Sequence, residues 1–253
     1  MRTFFVLLDR EIRSFFNTPI AYVVMVFFLA VVGFQFHAGI MTVNNRPEFG
    51  QTALELCFDS LFWFPFMQCL SLISMRSFAD EFRMGTLETL ATAPVRDWQV
   101  VLAKFAGVFT FYLLLLAPTS VYFLLLKHFN GGSVSAAGLG TFGSCYLMLI
   151  LIGMFYTSVG CLASSLVRDQ INAAAITFAF VLGSFILTLF LMAPILIKNA
   201  TVHAIGQYLS PYYHLHDACV GRLDTQQLVL YPSLTVLVLF ITLQVFQYRK
   251  WQA

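Results

Sequence analysis

The chain has 253 residues, of which 59% are hydrophobic and only 10% are charged, and its formal net charge is +2. Because soluble domains carry about 25% charged residues, a water-soluble core of this size cannot absorb so much apolar surface. The small net charge, and the lack of a Lys/Arg cluster interleaved with aromatic residues, exclude nucleic acid as a partner. The excess apolar surface is therefore expected to face a lipid bilayer.

The first 19 residues predict an amphipathic helix that lies on the membrane surface. Its apolar side chains share one side of a helical wheel, and most of its charged side chains lie on the other. The apolar side comprises Phe4, Phe5, Leu8, Ile12, Phe15 and Phe16. Glu11 intrudes near this apolar arc, whereas Asp9 and Arg13 form an i,i+4 pair. The sequence Asn17-Thr18-Pro19 predicts a corner that leads into the first membrane span.

Six apolar runs follow, and each is close to the ~20 residues that a helix needs to cross the hydrocarbon core. Their predicted bounds are 20–40, 57–75, 107–126, 145–166, 174–197 and 228–246. The predicted fold class is all-α, a polytopic membrane protein with six transmembrane helices and an N-terminal interface helix. We expect a single domain over residues 1–253, with an interface helix (1–19), a cytoplasmic loop (76–104) and an outer loop (198–227).

The distribution of Lys and Arg predicts the orientation, because cytoplasmic loops carry an excess of both. With the N-terminus in the cytoplasm, ten such residues lie inside and four lie outside. The inner residues are Arg2, Arg10, Arg13, Arg76, Arg83, Arg96, Lys104, Arg168, Arg249 and Lys250. The outer residues are Arg46, Lys127, Lys198 and Arg222. Both termini are therefore predicted to be cytoplasmic.

The cytoplasmic loop predicts two short helices, one over 77–84 and a second over 87–91. Gly85 ends the first, Thr86 caps the second, and Pro94 stops it. Apolar side chains are interspersed with charges and are expected to be exposed: Phe78, Phe82, Leu87 and Leu90. Such a surface suits docking into a groove on a partner protein. An interfacial loop tucked under the bilayer explains the same pattern, and these residues alone do not decide between the two.

The stretch Asp80-Glu81-Phe82-Arg83-Met84-Gly85-Thr86-Leu87-Glu88-Thr89-Leu90, then Ala93-Pro94-Val95, resembles a motif of the ABC-2 type transporter permeases. Their loop typically reads acidic-acidic-basic-basic-x-Gly-Thr-Leu-Glu-x-Leu, then Pro-Val or Pro-Ile. Arg10-Glu11, Phe15-Phe16 and Pro19-Ile20-Ala21-Tyr22 resemble the segment before and at the start of that family's first span. The gliding-motility-type permeases are the most similar subgroup. Phe82 departs from the pattern, because the family usually has a basic residue there.

The resemblance implies a permease subunit of an ATP-binding cassette exporter that is not itself an enzyme. Two permease chains, either two copies or two related permeases, would pair with two ATPase subunits, and those subunits would bind ATP and Mg. This chain would hold no cofactor, and it lacks the GxxxxGK[ST] phosphate-binding loop. A multi-pass position in a bacterial plasma (inner) membrane follows. The residues implied in coupling to the ATPase are Glu11, Arg13, Glu81, Arg83, Gly85, Thr86, Glu88 and Pro94.

Two polar residues of the second run, Asp59 and Gln68, are candidates for the substrate path, since ionisable and polar groups inside a membrane are often functional. Asp59 also suits a helix cap near the outer interface. On the fifth run Ala175, Ala179 and Gly183 recur at a spacing of four, which allows close helix approach. We expect this stripe to pack within one subunit rather than at a dimer seam.

The outer histidines leave two other classes of function open. His214, His216 and Asp217, with Cys219 nearby, suggest a metal or haem site, although an exposed polar loop is the expected state. A disulfide between Cys219 and Cys57 is a minor alternative. The resemblance to gliding-type permeases also leaves open a structural component that transmits force in a motility or secretion machine.

Overall fold

The computed structural model describes residues 2–45, 58, 62–85, 96–129, 139–192 and 206–252. Every regular element in these ranges is helical, which confirms the all-α prediction for them. The helices are α1 (Arg2–Phe16), α2 (Pro19–Asn45), α3 (Trp63–Ser74), α4 (Arg76–Met84), α5 (Asp97–Phe129), α6 (Leu139–Leu166), α7 (Gln170–Met192), α8 (Pro211–Cys219) and α9 (Thr225–Gln252).

Five of these helices, α2, α5, α6, α7 and α9, are long and apolar enough to cross a membrane. The second predicted run is described mainly by α3, which has 12 residues and a length of about 18 Å. Five of the six predicted spans are thus confirmed by length and composition. The second span, predicted over residues 57–75, stays a prediction. α5 begins at Asp97, well before the predicted start at residue 107. Its first turns are amphipathic and bury Val100, Val101 and Lys104.

The centre of the bundle is α6, which is the most buried of the five candidate spans. It packs against α3, α4, α5, α7, α8 and α9. Tyrosine hydroxyls join it to its neighbours. Tyr112 on α5 donates to the carbonyl of Leu149 over 2.8 Å, and the Tyr156 hydroxyl lies 2.6 Å from the Ser184 hydroxyl on α7. With no water in the hydrocarbon core, such interhelical bonds satisfy groups that would otherwise be costly to bury.

Large apolar side chains cover the outside of the bundle. Phe34 on α2, Phe190 on α7 and Phe240 on α9 are all more than half exposed. The small-residue stripe on α7 (Ala175, Ala179 and Gly183) is exposed as well. The expectation that this stripe packs within one subunit is therefore wrong, because α7 turns its opposite face to α3 and α6. The stripe faces lipid or another chain.

The predicted outer loop contains α8, which is anchored to two spans. Ser210 caps its start by accepting a hydrogen bond from the backbone N–H of Tyr213 over 3.2 Å. The Ser144 hydroxyl on α6 donates to the carbonyl of Ala218 over 2.7 Å. On its other side, His214 Nδ1 lies 2.7 Å from the Tyr231 hydroxyl on α9. This segment therefore packs on the bundle as an ordered helix.

Candidate functional site: a charged junction of α1, α4 and α5

The surface helix α1 lies directly against the first turns of α5. Phe15 is buried and stacks on Phe111, with ring centroids 5.2 Å apart. A Cβ at Gly107 would lie only 2.9 Å from the Cβ of Glu11, so this close approach requires glycine. The contact brings Glu11, the acidic residue near the apolar arc of α1, to the base of a membrane span.

The short helix α4 follows α3 after a break at Met75, and Ser164 of α6 fills that break. The Ser164 hydroxyl accepts hydrogen bonds from the backbone N–H groups of Phe78 (3.0 Å) and Ala79 (2.9 Å). It also donates to the carbonyl of Met75 over 3.0 Å. These bonds tie the turn at Met75, whose backbone stays in the right-handed helical region, to α6. One hydroxyl of a membrane span therefore positions the start of α4.

At the far end, Gly85 terminates α4 as the sequence predicts. Its φ of +67° lies in the left-handed region, which glycine adopts without the steric penalty of a Cβ. Its backbone N–H bonds to the carbonyl of Glu81. Thr86, Glu88 and Pro94, which the resemblance implicates in coupling, lie outside the described residues.

Lys104 of α5 links α4 and α1 through a buried ion network. Its ammonium nitrogen lies 2.9 Å from Glu81 Oε1 on α4 and 3.2 Å from Glu11 Oε1 on α1. It also donates to the carbonyl of Ser77 over 2.6 Å. The side chains of Lys104 and Glu81 are only 4% and 8% exposed. Because charges are buried only when they are paired, this lysine holds three helices in one arrangement.

The network borders a polar cleft on its solvent side. Arg10 approaches Glu81 at 3.7 Å from this side, and Arg76 pairs with Asp80 at 3.0 Å within α4. Arg10, Arg76, Asp80 and Glu81 all line the cleft. The ion network is thus buried on the side of α5, whereas the cleft and Arg10 are open to solvent between α1 and α4.

The last turn of α9 joins the same end of the molecule. Lys250 lies 2.8 Å from Asp97 at the start of α5. The Arg249 guanidinium lies 4.7 Å from the centroid of the Phe82 ring and donates to the carbonyl of Leu166. The departure of Phe82 from the motif is accommodated here, because the aromatic face receives a cation from α9.

Of the predicted coupling residues that the structure describes, only Glu11 and Glu81 meet in the network. Arg13 pairs with Asp9 at 2.9 Å on the exposed side of α1, where their side chains are 75% and 61% exposed. Arg83 is exposed on α4. For the predicted substrate path, Gln68 is half-buried on α3, and Asp59 lies outside the described residues.

One expectation for the loop is wrong. Phe78 is fully buried rather than exposed, because α4 folds back onto the bundle and places this ring 5.8 Å from Phe246 of α9. Phe82 is half-buried. Leu87 and Leu90 lie outside the described residues. The apolar side of α4 is therefore used inside the subunit, and its polar side faces outwards.

Lys104 and Ser164 were not predicted as site residues. Lys104 lies between Val101 and Val108 at spacings of three and four, in a stripe whose apolar members are buried. A lysine at such a position, like Glu11 on α1, signals a buried ion pair. Ser164 has no comparable signal, because a serine in an apolar span usually bonds to its own helix.

His214 and His216 of α8 face different sides of their helix. His214 is buried against Tyr231, whereas His216 is exposed and stacks on Tyr212. The expected exposure is thus correct for His216 and wrong for His214, because two positions i,i+2 on a helix face different directions. The expected loop is wrong for both, since they lie on the helix α8. Within the ranges that the structure describes, no group of three His, Cys, Asp or Glu side chains could hold a metal ion.

A comparison with protein-family models matches residues 61–249 to the ABC-2 family transporter proteins. The matched segment includes α4, Lys104, Ser164 and α8. A comparison with curated protein sequences finds no significant match. Since the family match spans about three quarters of the chain and the fold is a polytopic helical bundle, this chain belongs to the ABC-2 family of transporters and is a membrane permease component of an ABC transporter.

Proposed function

We propose that this chain is the transmembrane subunit of an ABC exporter and that it couples ATP hydrolysis by a separate ATPase subunit to substrate movement. The observation that carries the proposal is the shared cation, Lys104, which bonds to Glu11 and Glu81 on two different surface helices. A partner that presses on α1 or α4 would act on both, and on α5, through one buried network.

The same geometry offers a route into the membrane. Displacing α4 pulls on Lys104 of α5 and on the three hydrogen bonds to Ser164 of α6. Both helices are candidate spans. Because packed interfaces have discrete arrangements rather than continuous ones, a small push at the surface would be converted into a shift of two spans. ATP and Mg would be bound by the partner, and this chain would do no chemistry itself.

The proposed assembly has two permease chains, either two copies or two related permeases, with two ATPase subunits. Both termini and α4 face the cytoplasm in this topology, in a bacterial plasma (inner) membrane, and α8 lies on the outer face. The substrate path runs between the two permeases, with Asp59 and Gln68 as its candidate polar residues. A gliding-type role for the complex is compatible with the loop motif.

Co-purification and ATP turnover test the proposal. The chain is co-expressed with the genes that flank its own and extracted in a mild detergent, and any P-loop ATPase that co-purifies is assayed for ATP hydrolysis in lipid nanodiscs. Gly85→Pro and Glu88→Lys are expected to abolish permease-stimulated turnover while leaving membrane insertion intact. Proline cannot adopt the positive φ at Gly85, and the second change reverses a charge in the motif.

The control for the change in net charge is Asp224→Lys, a matched charge reversal on the opposite face of the membrane in the proposed topology. Asp224 is exposed in the turn between α8 and α9, and turnover in this variant is expected to match the wild-type protein. The coupling proposal fails if Gly85→Pro and Glu88→Lys both keep wild-type turnover. It also fails if no P-loop ATPase is retained after gentle extraction.

A further inference from the structure

The contact between α6 and α8 contains two cysteines that face each other. The Sγ atoms of Cys145 and Cys219 lie 2.9 Å apart, and both side chains are buried. The adjacent residues, Ser144 and Ala218, are themselves joined by a hydrogen bond of 2.7 Å. Two consecutive residues of α6 therefore face two consecutive residues of α8. This packing holds the two thiols next to each other.

We propose that Cys145 and Cys219 form a disulfide that fastens α8 to α6. A disulfide has an S–S distance of about 2.05 Å, so the sulfurs need to approach by less than 1 Å from their positions here. The bond would close a loop that contains all of α7, and it would fix the outer segment to the most buried span.

The compartment favours the oxidised state. In the topology proposed above, both cysteines lie at the outer ends of their helices, and disulfides persist on the outer side of a bacterial plasma membrane. The oxidant is a disulfide of that compartment. One thiolate attacks it to give a mixed disulfide, and the second thiolate displaces the oxidant. Two protein thiols and one oxidant disulfide give one protein disulfide and two oxidant thiols.

The buried position of the pair has a structural consequence. Both side chains are buried once α8 is packed, so the oxidant must reach the pair before α8 docks on α6. Once α8 is packed, the bond is shielded from reductants. The disulfide would hold α8 in place independently of the bond between His214 and Tyr231, so that the outer segment is fastened to α6 covalently and to α9 by a hydrogen bond.

Counting accessible thiols after denaturation tests this inference. Cells that express the full chain are quenched with acid, and the purified protein is unfolded in SDS and alkylated with a polyethylene-glycol maleimide, with or without prior reduction. The chain has five cysteines. The disulfide predicts three alkylations without reductant and five with it. Cys145→Ala and Cys219→Ala should each give four alkylations under both conditions, because the remaining partner is released.

Cys57→Ala is the matched control, since the sequence alone also admits a bond between Cys57 and Cys219. If Cys145 is the partner, this variant stays sensitive to reductant and gives two alkylations without it and four with it. The inference is overturned if the wild-type protein gives five alkylations without reductant. It is also overturned if Cys57→Ala removes the sensitivity and Cys145→Ala keeps it. Thr89→Cys and Asp224→Cys labelling reports the topology separately, so a failed disulfide and a failed orientation are distinguishable.

Discussion

The ammonium of Lys104 lies 2.9 Å from Glu81 Oε1 although the two residues belong to different helices, α5 and α4, and both side chains are almost completely buried. A second carboxylate, from Glu11 of α1, lies 3.2 Å from the same nitrogen. One lysine thus neutralises two acidic groups that the chain brings in from separate surface helices. Arg10 adds a weaker, exposed contact to Glu81.

Lys104→Met is expected to destabilise the junction strongly, because it keeps the volume of the side chain but leaves two buried carboxylates without their cation. Breaking a buried ion pair by removing one partner costs about 3–5 kcal/mol. Thermal unfolding of the protein in nanodiscs measures the effect, and ATPase stimulation measures its consequence for coupling. Lys104→Met/Glu81→Gln should recover part of the loss, since one uncompensated charge is removed.

Arg13→Met serves as the control for Lys104→Met. It removes a cation from α1 whose partner, Asp9, is mostly exposed, and such surface pairs contribute about 0–1 kcal/mol. Its melting temperature should therefore stay close to that of the wild-type protein. Equal losses in Arg13→Met and Lys104→Met would show that the buried network is not the element that holds the three helices together.

Ser164→Ala is expected to loosen the start of α4. The change leaves the buried N–H groups of Phe78 and Ala79 without their acceptor, at a cost of about 1–3 kcal/mol for each unsatisfied group. Hydrogen exchange of residues 76–84 should become faster. Ser165→Ala is the matched control, because Ser165 is equally buried and, among the described residues, its hydroxyl bonds to the carbonyl of Leu162 in its own helix. Unchanged exchange in Ser164→Ala would remove Ser164 from the coupling route.

Gly107→Val is expected to detach α1 from the membrane bundle. A Cβ at residue 107 meets the Cβ of Glu11 at 2.9 Å, and the branches of valine would extend the clash towards Glu11 Cγ and the Phe15 ring, which lie 3.8 and 3.9 Å from that Cβ. Protease accessibility of residues 2–16 should rise, and ATPase stimulation should fall. Gly143→Val tests the same substitution on α6 at a site where nothing lies within 4 Å of the added carbon, and it should behave as the wild-type protein does.

Protonation of His214 is expected to lower the stability of α8 and its contacts at acid pH. Burial lowers the pKa of its imidazole below the ordinary histidine value of about 6.5, although Asp217, Asp224 and a backbone bond at Tyr208 act in the opposite direction. Tyr231 faces the ring from α9. Below about pH 6.5 the unfolded histidine binds a proton before the folded one does, so stability decreases as the pH falls through this range.

Thermal unfolding between pH 5 and 8 measures this dependence. His214→Gln should flatten the profile below about pH 6.5, because glutamine does not titrate. His216→Gln should retain it, because His216 is exposed on the same helix. If His214→Gln keeps the wild-type profile, the acid sensitivity has another origin.

The sequence predicted the parts of this structure that depend on local chemistry. Gly85 ends α4, the corner at Pro19 starts α2, and Glu11 stands out on α1 because a carboxylate near an apolar arc requires a partner. The partner itself, Lys104, is distant in sequence, and the early start of α5 made it appear to be a loop residue. Ser164 depends wholly on tertiary packing, since only the arrival of α4 gives its hydroxyl three backbone partners.

The orientation of the chain is the most direct prediction to test, because the whole coupling proposal depends on α4 facing the cytoplasm. In a background without native cysteines, Thr89→Cys should react with a membrane-impermeant maleimide only in inside-out vesicles. Asp224→Cys should react only in intact spheroplasts. In the proposed topology the two sites lie on opposite faces of the membrane. Each must therefore be labelled only in the preparation that exposes its own face. Reversed labelling would place the charged junction outside the cell, where no ATPase could reach α1 or α4.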